Sequence, residues 1–206
     1  MKSVGSHGSE PTSEWVKRWS HLVKPQGTVL DVACGYGRHA TYFYKRNHPV
    51  ALVDRAQEAI ESIATEGKAC EKVVADIENG PWPFAGRQFD AVVVTNYLWR
   101  PLMPTLLASL APGGLLIYET FAQGNETVGK PSRPDFLLRT AELLDLCRSL
   151  RIVAFEDGFV PAASGTSARF VQRIVAVREA FAPPTSSEPK RYPLAGFDAE
   201  STGATE

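Results

Sequence analysis

Apolar residues along the chain follow two periods that take turns. Trp15, Val16, Trp19, Leu22 and Val23 recur at helical spacing behind Ser13, a residue able to cap a helix, and the run stops at the breaker Pro25-Gln26-Gly27. From Thr28 onward, short apolar runs predict strands over 28–32, 50–53, 72–75, 89–95, 115–119, 151–156 and 169–177. Between them, amphipathic stretches predict helices from about Arg38 and from about Gln57, then over 105–110 and 139–149. Ala111-Pro112-Gly113-Gly114 reads as a turn before the fifth strand. Strand and helix in alternation predict βαβ units, whose right-handed crossovers cover both faces of one largely parallel sheet. The expected fold class is α/β, a doubly wound sandwich with the first helix lying on the sheet.

Composition refines this picture. A chain of 206 residues with 44% hydrophobic content predicts one domain, here 13–180, behind a flexible N-terminus over 1–12. The polar, Pro-rich stretch that follows, 181–206, buries too little to offset its ordering entropy and is expected to be a disordered tail. A net charge of -1 gives no broad positive field for nucleic acid; Lys130, Arg133, Arg139, Arg148 and Arg151 form a local basic cluster of a kind that can hold phosphate or carboxylate groups, most of them read as exposed helix-face charges, and a small-molecule partner is favoured. Cys34, Cys70 and Cys147 lack disulfide or zinc spacing, and no apolar run reaches the length of a signal core or a membrane span. A cytoplasmic chain with no metal site is the expectation. Oligomeric state is not encoded in these patterns, because apolar faces for sheet packing and for a dimer look alike.

The densest chemistry lies in Val29-Leu30-Asp31-Val32-Ala33-Cys34-Gly35-Tyr36-Gly37-Arg38-His39-Ala40, where a strand runs through a glycine turn into a helix. Gly35 and Gly37 let the backbone approach a ligand, and the helix amides near Arg38 form an expected cradle for a carboxylate or phosphate. The turn also fits the dinucleotide pattern G-x-G-x-x-G/A, a short match that leaves the cofactor open. Asp31 weighs against a pyrophosphate and for a ligand bearing an ammonium and a sulfonium, as S-adenosylmethionine does.

An acid followed by small residues, here Asp31, Ala33, Gly35 and Gly37, resembles the first motif of the class I methyltransferases, and Gly-Arg-His is similar to the tellurite-resistance type that acts on small molecules. The resemblance spans about Thr28 to Val177, and Ala33 departs from the family's first glycine. It implies a Rossmann-like methyltransferase sandwich, a seven-stranded sheet whose last strand is antiparallel, and S-adenosyl-L-methionine as cofactor. Asp31, Ala33, Cys34, Gly35, Gly37 and Arg38 would then hold the methionine end. Asp54 would take the ribose hydroxyls with Arg55 flanking the adenine, and Asp76 and Ile77 would meet the adenine edge. Thr95 and Asn96 would edge the reacting methyl. Asn96-Tyr97-Leu98 lacks the prolines of the amino-methylating nucleic-acid enzymes, which argues against a base as acceptor.

Taken singly, each acid at a strand end also reads as a solvated carboxylate or a helix cap; three at successive strand ends are harder to read so. Tyr97 and Glu119 are the candidate catalytic groups, able to accept or relay a proton, and His39 and Cys34 read first as packing residues. Trp15 and Trp19 read as core anchors, and the long connection over 120–136 as a cover for the substrate or a surface loop. In-line methyl transfer to a small molecule leads. Beside it stand an NAD(P)-dependent oxidoreductase and a non-catalytic S-adenosylmethionine-binding adaptor, the latter favoured by exposed apolar area on the first helix.

Overall fold

A computed structural model describes residues 10–65, 69–163, 166–180 and 190–194. Seven strands form one sheet in the order β3-β2-β1-β4-β5-β7-β6, from β1 (Val29–Val32), β2 (Val50–Asp54), β3 (Cys70–Val74), β4 (Phe89–Thr95), β5 (Leu110–Phe121), β6 (Arg151–Val160) and β7 (Arg169–Val177). The first five pair parallel, and β7 is antiparallel to both β5 and β6, which meets the expectation of an antiparallel last strand.

The sheet is buried on both sides, which is why its central strands read as near-continuous apolar runs. One face, with Val29, Ala91, Val93, Leu115 and Ile117, packs against α1 (Glu14–Trp19), α2 (Arg38–Tyr44) and α3 (Gln57–Ser62). The other, with Leu30, Val32, Val92, Val94 and Leu116, packs against α4 (Met103–Ala108) and α5 (Glu142–Leu146). Trp15 and Trp19 are both 2% exposed and meet edge to face, 5.6 Å between ring centroids, so the apolar face of α1 is spent on the sheet. Ser13 caps that helix, its hydroxyl accepting from the Trp15 and Val16 amides.

Five expectations need correction. Ala111 to Gly114 is no separate turn: β5 runs through it, because the Gly113 amide bonds the Arg178 carbonyl and the Arg178 amide returns to Gly114. The helix expected over 139–149 shortens to Glu142–Leu146, and β6 continues past 156 to Val160 because β7 pairs with it along its length. Residues 10–12, expected to be flexible, are held by Arg38, whose guanidinium pairs with Glu10 at 2.6 Å while its carbonyl takes the Thr12 hydroxyl. In the expected tail, 190–194 lie against the domain: the Tyr192 hydroxyl bonds Glu179 and the Pro193 carbonyl bonds His21. The rest of 181–206, like 1–9, lies outside the described residues.

Candidate active site

The chain leaves β1 for β2 and β3 on one side of the sheet and takes up β4 and β5 on the other, so the carboxyl ends of β1 and β4 flank a crevice at the switch point. Two cavities open there and share Ala33 and Asn96 as a common rim. The larger, about 460 Å³, is lined by Asp54, Arg55, Asp76, Ile77 and Tyr97 among others. The smaller, about 300 Å³, is lined by Cys34, Gly35, Tyr36, Arg38, Thr95 and Glu10. Ala33 and Asn96 are both left-handed, φ 51 and 54, the strained backbone that collects at binding sites. At Ala33 this explains the family's glycine: the conformation costs an L-residue on the order of 1–2 kcal/mol.

Of the expected site residues, Asp31, Gly37 and Glu119 line neither cavity. Asp31, 1% exposed, lies beneath the loop and accepts the Ala40 amide at 2.9 Å. Burial lifts its pKa to about 7 against the pull of that bond. The expected anion cradle is thereby corrected, since the helix start already holds the chain's own carboxylate. Glu119 is buried and committed: it accepts from the Ser13 hydroxyl at 2.9 Å and pairs with Arg173 at 3.1 Å. That engagement removes it as a free proton acceptor.

Asp54 joins the two halves. One carboxylate oxygen accepts the Gly35 amide at 2.8 Å and the other the Ala56 amide at 2.9 Å. Asp76 is exposed and closes a local turn, accepting from the Asn79 side chain and from the Glu78 and Asn79 amides, and these bonds hold its pKa low. Thr95 meets buried His39, whose ring takes the Ser13 amide on Nε2 and so presents its proton on Nδ1 to the Thr95 hydroxyl, 3.4 Å away. Burial, then Arg38, lowers the His39 pKa to about 3 and keeps the ring neutral. Burial raises the Cys34 thiol far above its ordinary value, so it is no nucleophile.

The Tyr97 hydroxyl is buried with no hydrogen-bond partner of good geometry among the described residues, although Glu78 stands near enough to act on it. Burial, and Glu78 after it, raise its pKa, so Tyr97 stays protonated. Sequence reasoning missed Glu10 and Glu78 on the cavity walls, and it held Phe121 and Phe136 only as part of the connection over 120–136. Glu10 had a signal only in its pairing with Arg38, 28 positions away.

Three observations make the crevice fit S-adenosylmethionine. A Cβ on Gly35 would meet nothing within 4 Å and would stand in open space at the smaller cavity. Each Asp54 oxygen spends one lone pair on an amide and keeps another for a hydroxyl. The orphaned Tyr97 hydroxyl calls for a polar partner in the larger cavity. A pyrophosphate fits less well, since the Gly35 amide is given to Asp54 and the Gly37 amide to the Cys34 carbonyl.

The two glycines differ in what they protect. Gly37→Ala, at φ +70, drives a methyl to 2.5 Å from Ile63 Cδ1 and is expected to cost roughly 2 kcal/mol of stability by urea unfolding. Gly35→Ala has no clash, so it should cost about half of that and show its larger effect as weaker S-adenosylhomocysteine binding by calorimetry.

Residues 29–114 match the family described as Methyltransferase domain. Malonyl-[acyl-carrier protein] O-methyltransferase from Serratia marcescens is 29% identical over 107 residues, 49% of this chain and 41% of that protein, so the match spans less than half of the relative. Among solved structures, TehB from Haemophilus influenzae superposes with a TM-score of 0.68 at 17% identity, covering 82% of this chain and 63% of that one. An S-adenosylmethionine-dependent methyltransferase from Methanosarcina mazei gives 0.62 at 15% identity, covering 83% of this chain and 100% of that one. These likenesses are of fold, and they coincide with the strand order, the glycine loop and the acid at the end of β2. Residues 29–114 are similar to a methyltransferase domain, and the chain has the fold of these methyltransferase structures.

Proposed function

We propose that the chain transfers the methyl group of S-adenosylmethionine to a nucleophilic atom of a small molecule by in-line displacement. The observation that carries this reading is the Asp54 bond to the Gly35 amide, which leaves one carboxylate facing both the glycine loop and the larger cavity. Bound across the Ala33 and Asn96 rim, the cofactor supplies an electrophilic methyl on a sulfonium. Asp54 and Arg55 hold the adenosine side, with Asp76 and Ile77 along it, and Gly35, Arg38 and Thr95 border the methionine side. Tyr97, fixed in the protonated form, donates to the acceptor and orients it rather than removing its proton. Transfer forms the acceptor–methyl bond, breaks the sulfonium carbon–sulfur bond with its electron pair left on sulfur, and releases the acceptor's proton to water.

The buried face of α1 leaves the adaptor reading without the exposed apolar surface it needs on that helix. No helix among the described residues is long and apolar enough to cross a membrane, and we place the protein in the cytoplasm, where its three free cysteines stay reduced.

Thermal unfolding with S-adenosylmethionine, S-adenosylhomocysteine, NAD and NADP added separately tests the cofactor. The adenosyl compounds alone should raise the midpoint, by about 2.7 kcal/mol of stabilisation at a hundredfold excess over Kd. Stabilisation by a dinucleotide alone sinks the methyltransferase reading and promotes the oxidoreductase.

A further inference from the structure

The larger cavity is chemically divided. Its β2 and β3 side carries every charged lining residue: Asp54, Arg55, Asp76 and Glu78. Toward β5 the wall is Leu98, Phe121, Pro131 and Phe136, with the polar contribution coming from Tyr97, Asn96 and Thr120. Phe136 is 41% exposed, a large ring held at the cavity wall rather than packed into the core. Leaving such a ring in water is unfavourable, and a ligand covering it removes that apolar surface from solvent.

Phe136 is held there by its neighbours. Arg100 donates Nη1 to the Asp135 carbonyl and Nη2 to the Leu137 carbonyl, both at 2.9 Å, so the backbone is pinned on each side of the ring. The same guanidinium forks onto Glu142, Nε at 2.7 Å and Nη2 at 2.9 Å. The rest of the wall is fixed as well. The Leu138 amide bonds the Phe121 carbonyl and the Gln123 amide the Leu138 carbonyl, while Asn125 donates to the Pro131 carbonyl and accepts the Phe170 amide. The connection expected as a cover or a surface loop thus contributes Phe121, Pro131 and Phe136 to the cavity wall.

That bonding also gives the arginines at the apolar end carboxylate partners. Arg100 and Arg139 are paired with Glu142, and Arg133 with Asp135. The cation that lines the cavity, Arg55, lies beside Asp54 in sequence and acts on Asp76. An anionic acceptor would meet three carboxylates across the cavity, and among the described residues no cation lines the wall on its own side.

From the pinned Phe136, the Phe121, Leu98 and Pro131 wall and the spent arginines, we infer that the methyl acceptor is an uncharged small molecule with an aromatic body, its one polar edge against the Tyr97 hydroxyl. Two rings in the wall favour an aromatic body, which gains edge or offset-face contact beyond area burial. This rests on the methyltransferase reading above, and the experiment separates the two.

Calorimetry is run first with S-adenosylhomocysteine, then on the protein saturated with it, using 2-naphthol and its anionic counterpart 2-naphthoate as probes. The neutral probe should bind the loaded protein at least about tenfold more tightly than the anion, and Phe136→Ser should weaken it by about tenfold with S-adenosylhomocysteine affinity unchanged. Phe136 lies on a surface segment held by main-chain bonds, so the variant keeps its fold. Equal or tighter binding of 2-naphthoate, no binding of 2-naphthol, or indifference to Phe136→Ser overturns the acceptor assignment while leaving the cofactor reading standing. Failure of S-adenosylhomocysteine to bind overturns the methyltransferase reading and this inference with it.

Discussion

Asp54→Ala is expected to lower the affinity for S-adenosylhomocysteine by about 100-fold, close to 2.7 kcal/mol, a loss that calorimetry checks on protein whose unfolding midpoint is followed in parallel. Two losses add in that figure. The carboxylate's bonds to ligand hydroxyls go, and hydrogen bonds to a charged group are each worth about 1.5–3 kcal/mol. The Gly35 amide also loses its acceptor at 2.8 Å, so the loop bordering the methionine side is no longer held toward the adenosine side. Asp54→Asn separates the two, because an amide oxygen still accepts from Gly35 while the charge is gone. It should fall between wild type and alanine. An Asp54→Ala protein that binds as tightly as wild type removes Asp54 from the site.

The placement of such a residue was legible because it depends on local pattern. Strand ends, glycines and the acids beside them sit within a few positions of one another, so Ala33, Gly35, Asp54, Asp76 and Asn96 could be read from the chain and do meet at one crevice. What stayed hidden depends on distant partners. Glu119 looks like a free acid at a strand end until Ser13, 106 positions away, and Arg173 from β7 reach it. Asp31 looks like a ligand for the cofactor, yet strand alternation turns it into the face covered by α2, where the Ala40 amide takes it up. The length of β5 was missed for a related reason: Pro112 and the two glycines after it carry turn chemistry, and pairing of Leu110 with Phe89 overrides it.

Arg100 is the clearest of these hidden residues, and Arg100→Ala should be among the most damaging substitutions outside the core, at about 3 kcal/mol by urea unfolding near neutral pH. Glu142 is only 4% exposed and takes two bonds from Arg100. Removing the guanidinium leaves a buried carboxylate with Arg139 as its remaining partner, and unpins the carbonyls on either side of Phe136. The cost should depend on pH in a defined direction. Burial pushes the Glu142 pKa up, but bonds from Arg100 and then Arg139 outweigh it and hold the value at about 2, below the ordinary 4.5. A carboxyl whose pKa is depressed on folding adds stability above its unfolded value and loses it as the pH falls. The gap between wild type and Arg100→Ala is therefore full above about pH 5 and closes as the pH falls from 4.5 toward 2. Arg100→Met combined with Glu142→Leu should recover part of the loss, because it removes the charge left buried as well as its partner. A gap that stays constant down to acid pH would assign the cost of Arg100→Ala to the lost carbonyl bonds at Asp135 and Leu137 rather than to the ion pair.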